Sequence, residues 1–158
     1  PAYNDYAETV LKPQMDPTKL KIVEELERTG KVDDPRYMGI LIPEFYEKHI
    51  LRRPAAEWPE PVNYAFANAN QHIYTLMQGA SGRIVDWDRF NDLKRIAAPT
   101  LVISGQYDTM NPAYMAAMAA QLPRGELLAT QGSHLAMYDD QKPYFDGLLA
   151  FLKSQEAK

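Results

Sequence analysis

Ala97–Pro112, AAPTLVISGQYDTMNP, is the stretch whose reading decides the fold. Leu101, Val102 and Ile103 form a short apolar run bracketed by Pro99 and Gly105. A continuous run of this kind suits a strand of a parallel sheet covered on both faces. It leads straight into the turn Gly105-Gln106-Tyr107-Asp108. Farther on, Glu126–Thr130 reads as a second strand, followed by Gln131-Gly132-Ser133-His134. In open α/β sheets, functional groups gather at the carboxyl ends of strands, where the loops are free to vary. Asp108 and His134 each stand at such an end.

Working outward, Asn111-Pro112 combines a helix cap with a proline at the first helical position, so a helix is expected to about Leu122. Small residues such as Ala113, Ala116, Ala119 and Ala120 let it sit close against a sheet. Pro123-Arg124-Gly125 ends it. Asp140–Lys153 reads as a final amphipathic helix carrying Tyr144, Phe145, Leu148, Leu149, Phe151 and Leu152. Trp87–Leu93 is a turn or short helix. The order β-α-β-α implies an α/β unit with parallel strands and right-handed crossovers. Two strands alone do not make a stable parallel sheet, so this part is expected to be the edge of a larger sheet or an incomplete domain. The chain starts at Pro1 without an initiator methionine, which suggests the middle of a longer protein or one piece of a cleaved one.

Residues 1–88 contain no convincing strand and read as a helical lobe. Ala2–Leu11 starts a helix, with Asn4 or Asp5 as cap. Asp16-Pro17 caps a helix over Thr18–Thr29, with Leu20, Ile22, Val23 and Leu26 near one face and Gly30 closing it. Asp33-Asp34-Pro35 opens the next, Arg36–Ile50, which Pro43 is expected to kink or split. Pro54–Pro61 is a linker or turn. Pro61–Asn70 and Gln71–Met77 are further short helices. Two of the three histidines, His49 and His72, fall in this lobe. They read as surface or capping residues, or as ligands or an acid/base pair, though neither lies in a recognised metal spacing. Met38, Trp58, Tyr74 and Met77 read as core, or as the lining of an apolar pocket.

The composition bounds the function classes. The 158 residues allow one ordinary domain or two small lobes, and 46% hydrophobic with 24% charged residues permits a packed core. A net charge of −4 speaks against nucleic-acid and anionic-membrane partners. With no cysteine there is no disulfide and no thiolate metal site, which fits a cytoplasmic protein. No apolar run approaches the roughly 18 residues that span a bilayer, and no signal peptide is visible. No metal or other cofactor is expected.

An acid after one strand and a histidine after the next follow the order Ser…Asp…His of many hydrolases. A catalytic histidine needs a carboxylate to fix its tautomer and stabilise its protonated form. The alternative is that Asp108 caps a turn and His134 caps the last helix. No nucleophile fits the G-x-S-x-G elbow. Ser81 has the wrong glycine spacing, Ser104 lies within the strand, Ser133 reads as a loop residue, and Ser154 sits in the terminal helix.

Asp86-Trp87-Asp88-Arg89, Leu93-Lys94-Arg95-Ile96, Pro99-Thr100-Leu101-Val102-Ile103, Gly105-x-Tyr107-Asp108 and Gly132-Ser133-His134-Leu135-x-Met137 together resemble the C-terminal half of the proline iminopeptidase family of α/β-hydrolases. Phe45-Tyr46, His49-Ile50-Leu51-Arg52 and Trp58-Pro59 resemble the helical cap of that family. The resemblance implies an α/β-hydrolase fold with a helical cap over residues 1–85 and the C-terminal βαβα part of the parallel sheet over 86–158. It implies that Asp108 and His134 are the acid and base of a Ser/Asp/His triad, and that Tyr74 lies near the substrate. The serine and the oxyanion-hole loop would belong to an N-terminal half absent from this chain. The substrate would be a short peptide or an amino-acid amide. Two departures stand out. The loop after Met77-Gln78-Gly79 is shorter than in the family and lacks its amine-binding Glu, and Thr109 follows Asp108 where the family sometimes has Glu. These departures keep an esterase or small-amide hydrolase open. So does the missing serine for a third reading, an inactive truncated fragment that acts as an interaction module.

Overall fold

The computed structural model describes residues 2–70, 73 and 87–156. Helix α1, Ala2–Tyr6, passes through a π turn at Ala7–Leu11 and a 3-10 turn at Lys12–Gln14. It starts ahead of Asn4 and Asp5, so neither is its cap. Helix α2, Pro17–Arg28, is capped by Asp16, whose Oδ1 accepts from the N–H groups of Thr18 at 2.9 Å and Lys19 at 3.0 Å. At its end Gly30 adopts φ +69°, and the Lys31 N–H reaches back to the Leu26 carbonyl while the Gly30 N–H reaches Glu27. That left-handed closure is one a glycine adopts at little cost. Val23 and Leu26 are buried as the periodicity predicts, but Ile22 is exposed.

Helix α3, Pro35–Leu41, gives way to a π turn, Ile42–Tyr46, and then to the short helix α4, Glu47–His49. Proline has no N–H to give and its ring crowds the carbonyl four residues back, and at Pro43 the helix passes into this π turn rather than ending. A π turn inserts a residue, which rotates everything after it by roughly 100° about the helix axis. Downstream, Leu51, Trp58 and Val62 form a buried cluster with Tyr46 and Ala55, and Leu135 and Tyr138 of the second half pack on it. Val62 lies on α5, Glu60–Ala67.

The second half follows the expected order. A 3-10 turn at Phe90–Arg95 leads to β1, Thr100–Gly105; then come α6, Pro112–Gln121, and β2, Gly125–Thr130. The strands pair in parallel, from Thr100 opposite Gly125 to Gly105 opposite Thr130. Asn111 caps α6 by accepting from the Ala113 N–H at 2.9 Å. Val102, Ala119 and Leu122 form the core between helix and sheet. Two helices close the chain: α7, Ala136–Asp139, and α8, Gln141–Glu156. The apolar residues of α8 are less covered than amphipathic patterning suggests. Phe145, Leu149 and Leu152 are exposed, as is Leu127 on β2.

Gly125 brings α6 onto β2, and a Cβ there would lie 2.2 Å from the Ala119 carbonyl oxygen and 2.7 Å from the Leu122 Cβ. Backbone cannot yield as a flexible side chain does, so Gly125→Ala is expected to cost about 1–3 kcal/mol. The urea midpoint of the full-length protein measures this.

Candidate functional site

The site forms where β1 and β2 end side by side. The strand ladder continues beyond both ends: the Gln106 N–H donates to the Thr130 carbonyl and the Tyr107 N–H to the Gly132 carbonyl, each at 3.0 Å. Asp108 and the loop carrying His134 are thereby held together. Gly105 is what lets them close. A Cβ at this position would stand 2.5 Å from the Ser133 carbonyl oxygen and 2.6 Å from that of Gly132.

Asp108 is buried, and its Oδ1 lies 2.9 Å from Nδ1 of His134. The same oxygen accepts from the Met110 N–H at 2.9 Å and the Thr109 hydroxyl at 3.3 Å. Burial by itself would raise the Asp108 carboxyl. The hydrogen bonds from His134, Met110 and Thr109 outweigh it and hold the carboxyl below its ordinary value. For His134, the hydrogen bond to Asp108 raises the imidazole above its ordinary 6.5, against the opposing effect of burial. The His134 side chain remains 41% exposed. With Nδ1–H committed to the carboxylate, Nε2 of the neutral ring carries the lone pair and can take a proton. A cavity of about 180 Å³ beside the pair is lined by Ile103, Met110, Met115, Met137 and Tyr144.

The helical half meets the same two loops. The His49 carbonyl accepts from the His134 N–H at 3.0 Å, and the Ile50 carbonyl from the Leu135 N–H at 2.9 Å. The Arg52 guanidinium stacks 3.6 Å above the Tyr107 ring, a cation–π contact. Asp139 accepts from the N–H groups of Ser133 at 3.0 Å and Arg52 at 3.1 Å. The Ser133 hydroxyl lies between Asp139 and the Ile50 carbonyl and is fully buried, as a loop residue rather than a nucleophile.

Asp108 and His134, the two strand-end residues singled out in the sequence, are thus brought together. His49 is not a surface residue: it is 6% exposed and packs against the Phe45 ring. Tyr6 is a second residue the sequence did not flag. Burial, and then the charge of Asp108, raise its hydroxyl pKa above the ordinary value. Tyr74, His72, Met77, Ser81, the loop after Gly79 and the boundary between residues 85 and 86 lie outside the described residues. Among the described residues, no group of three or more His, Cys, Asp or Glu side chains could hold a metal ion, and no helix is long and apolar enough to cross a membrane.

The ring of His134, followed by NMR in the full-length protein, is expected to titrate above 6.5. A raised folded-state pKa means that the pair's stabilisation is complete below the unfolded value and is lost as pH rises through the folded one. For Asp108 the sign reverses: stabilisation is present above 3.8 and lost as pH falls through the lower folded value. Asp108→Asn should bring the His134 midpoint down to 6.5 or below, because burial then acts alone. Gly105→Ala should also lower it, by pushing the 132–134 backbone off the end of β1.

No protein-family model matches the chain. Among curated proteins, it is 43% identical over 158 residues to a proline iminopeptidase of Flavobacterium johnsoniae, covering 96% of this chain and 52% of that protein. It is 41% identical to a proline iminopeptidase of Elizabethkingia meningoseptica, covering all of this chain and 55% of that protein. Among solved structures, VinJ superposes with a TM-score of 0.81 at 23% identity, over 96% of this chain and 52% of VinJ. The proline iminopeptidase of Mycobacterium smegmatis superposes with a TM-score of 0.72 at 20% identity, over the same shares. The chain spans about half the length of the curated relatives it matches, is similar to proline iminopeptidases over 96–100% of its own length, and has the α/β-hydrolase fold.

Proposed function

We propose that this chain supplies the acid and the base of a serine aminopeptidase that releases N-terminal residues from short peptides or amino-acid amides. The observation that carries the reading is the 2.9 Å bond between Asp108 and Nδ1 of His134 at the carboxyl ends of two adjacent parallel strands. His134 Nε2 takes the proton from a serine hydroxyl as that oxygen attacks the substrate carbonyl. It then returns the proton to the leaving amine, and Asp108 holds the ring and balances its charge. The serine and the N–H groups that stabilise the oxyanion belong to the remaining part of the protein. The exposed Leu127, Phe145, Leu149 and Leu152 support this, since a parallel sheet needs cover on both faces. In this reading residues 1–85 are a helical cap, with Tyr74 near the substrate, and residues 86–158 are the C-terminal part of the core. A cap closing over the site favours small or short substrates.

A second reading, an esterase or small-amide hydrolase, is favoured by one feature. Thr109 is neutral and its hydroxyl is turned to Asp108, so it offers no charge to a substrate amine.

Turnover of proline p-nitroanilide by the full-length protein separates the readings. The aminopeptidase reading predicts hydrolysis of the free-amine substrate and little of its N-acetyl derivative; equal hydrolysis of both selects the second reading. His134→Ala and Asp108→Asn are each expected to lower kcat on the order of 10⁴-fold. Near-normal turnover by His134→Ala would remove the triad assignment.

A further inference from the structure

His49 touches both turns that carry the proposed catalytic pair. Its Nδ1 lies 3.0 Å from the Tyr107 carbonyl oxygen, next in the chain to Asp108. A carbonyl only accepts, so Nδ1 carries the hydrogen and donates it. Its own carbonyl accepts from the His134 N–H, also at 3.0 Å. One residue of α4 therefore spans from the Asp108 turn to the His134 loop. The ring is buried and keeps company with Phe45, and burial, with the charges of Lys48 and Arg52, lowers its pKa and holds it neutral. A neutral ring with a fixed tautomer is a spacer of constant length, because its donor nitrogen and its backbone carbonyl are joined by only a few bonds.

We propose that His49 is a positioning residue for the Asp108–His134 pair. It sets the separation of the two turns through the Tyr107 carbonyl and the His134 N–H. It acts through these groups rather than on the substrate, and its role in turnover rests on the reading of the pair as triad acid and base. The neighbouring contacts have the same sense: the Leu135 N–H to the Ile50 carbonyl, and Arg52 on Tyr107, keep the two ends of the span from sliding. The hydrogen bond from Nδ1 is the one contact of the set that belongs to a side chain of α4, so substitution can remove it without touching the backbone.

Two substitutions in the full-length protein separate positioning from packing. His49→Asn keeps a donor at the place of Nδ1 and loses ring volume. His49→Phe keeps the ring and loses the donor. Positioning predicts that His49→Phe lowers the His134 titration midpoint toward 6.5 and lowers kcat at least tenfold with KM within about twofold, and that His49→Asn recovers most of both. Packing alone predicts the reverse order, with Phe like the parent protein and Asn impaired, and that result would overturn the proposal. The NMR titration does not depend on turnover. If His49→Phe shifts the His134 midpoint while kcat stays the same, the positioning role for the geometry stands and the catalytic reading of the pair fails.

Discussion

The close approach of the 132–134 backbone to Gly105 is the constraint on which the rest depends. Two parallel strands end level with each other, and the ladder between them continues for two more hydrogen bonds, from Gln106 and Tyr107. Only a residue without a Cβ at the end of β1 leaves room for the carbonyls of Gly132 and Ser133. Once that loop is down, His134 faces Asp108 at hydrogen-bonding distance, and the acid's remaining bonds come from its own turn. The pair is therefore a product of sheet geometry first and of side-chain chemistry second. Its electrostatics follow from this. The carboxylate is buried but well supplied with donors, so it stays charged, and the charge raises the affinity of the ring for a proton.

The second constraint comes from the helical half. Pro43 sits in the π turn Ile42–Tyr46 between α3 and α4, and that turn sets the direction in which α4 presents His49. From there His49, Ile50 and Arg52 reach the second half through two backbone carbonyls, an N–H and a stacked guanidinium. The apolar cluster of Leu51, Trp58 and Val62 with Leu135 and Tyr138 gives these polar contacts a dry foundation. The two halves of the chain are joined at the loops that carry Asp108 and His134.

Much of this was legible in the sequence because its causes are local. Asp16-Pro17, Asp34-Pro35 and Asn111-Pro112 announce helix starts through cap chemistry that acts over two or three residues. The apolar run Leu101–Ile103 and the acid and histidine after successive strands mark the sheet's carboxyl edge. The irregular turn at Pro43 follows from the missing N–H. What escaped is long-range. His49 and Tyr107 are 58 residues apart, and nothing in the spacing around His49 tells a clamp from a surface histidine. The influence of Asp108 on Tyr6 is hidden for the same reason. The exposure of Ile22 and of the apolar residues on α8 also departs from the pattern, since periodicity shows that a face is apolar without showing what covers it.

The account stands or falls on His134 being the base of a serine nucleophile and Asp108 its orienting acid. The most direct measurement is a crystal structure of the full-length protein after covalent modification by a fluorophosphonate. The account predicts a single phosphonylated serine whose Oγ lies about 2.6–3.2 Å from His134 Nε2, with Nδ1 still bonded to Asp108. A modified serine paired with another base, with His134 turned away from it, would contradict it.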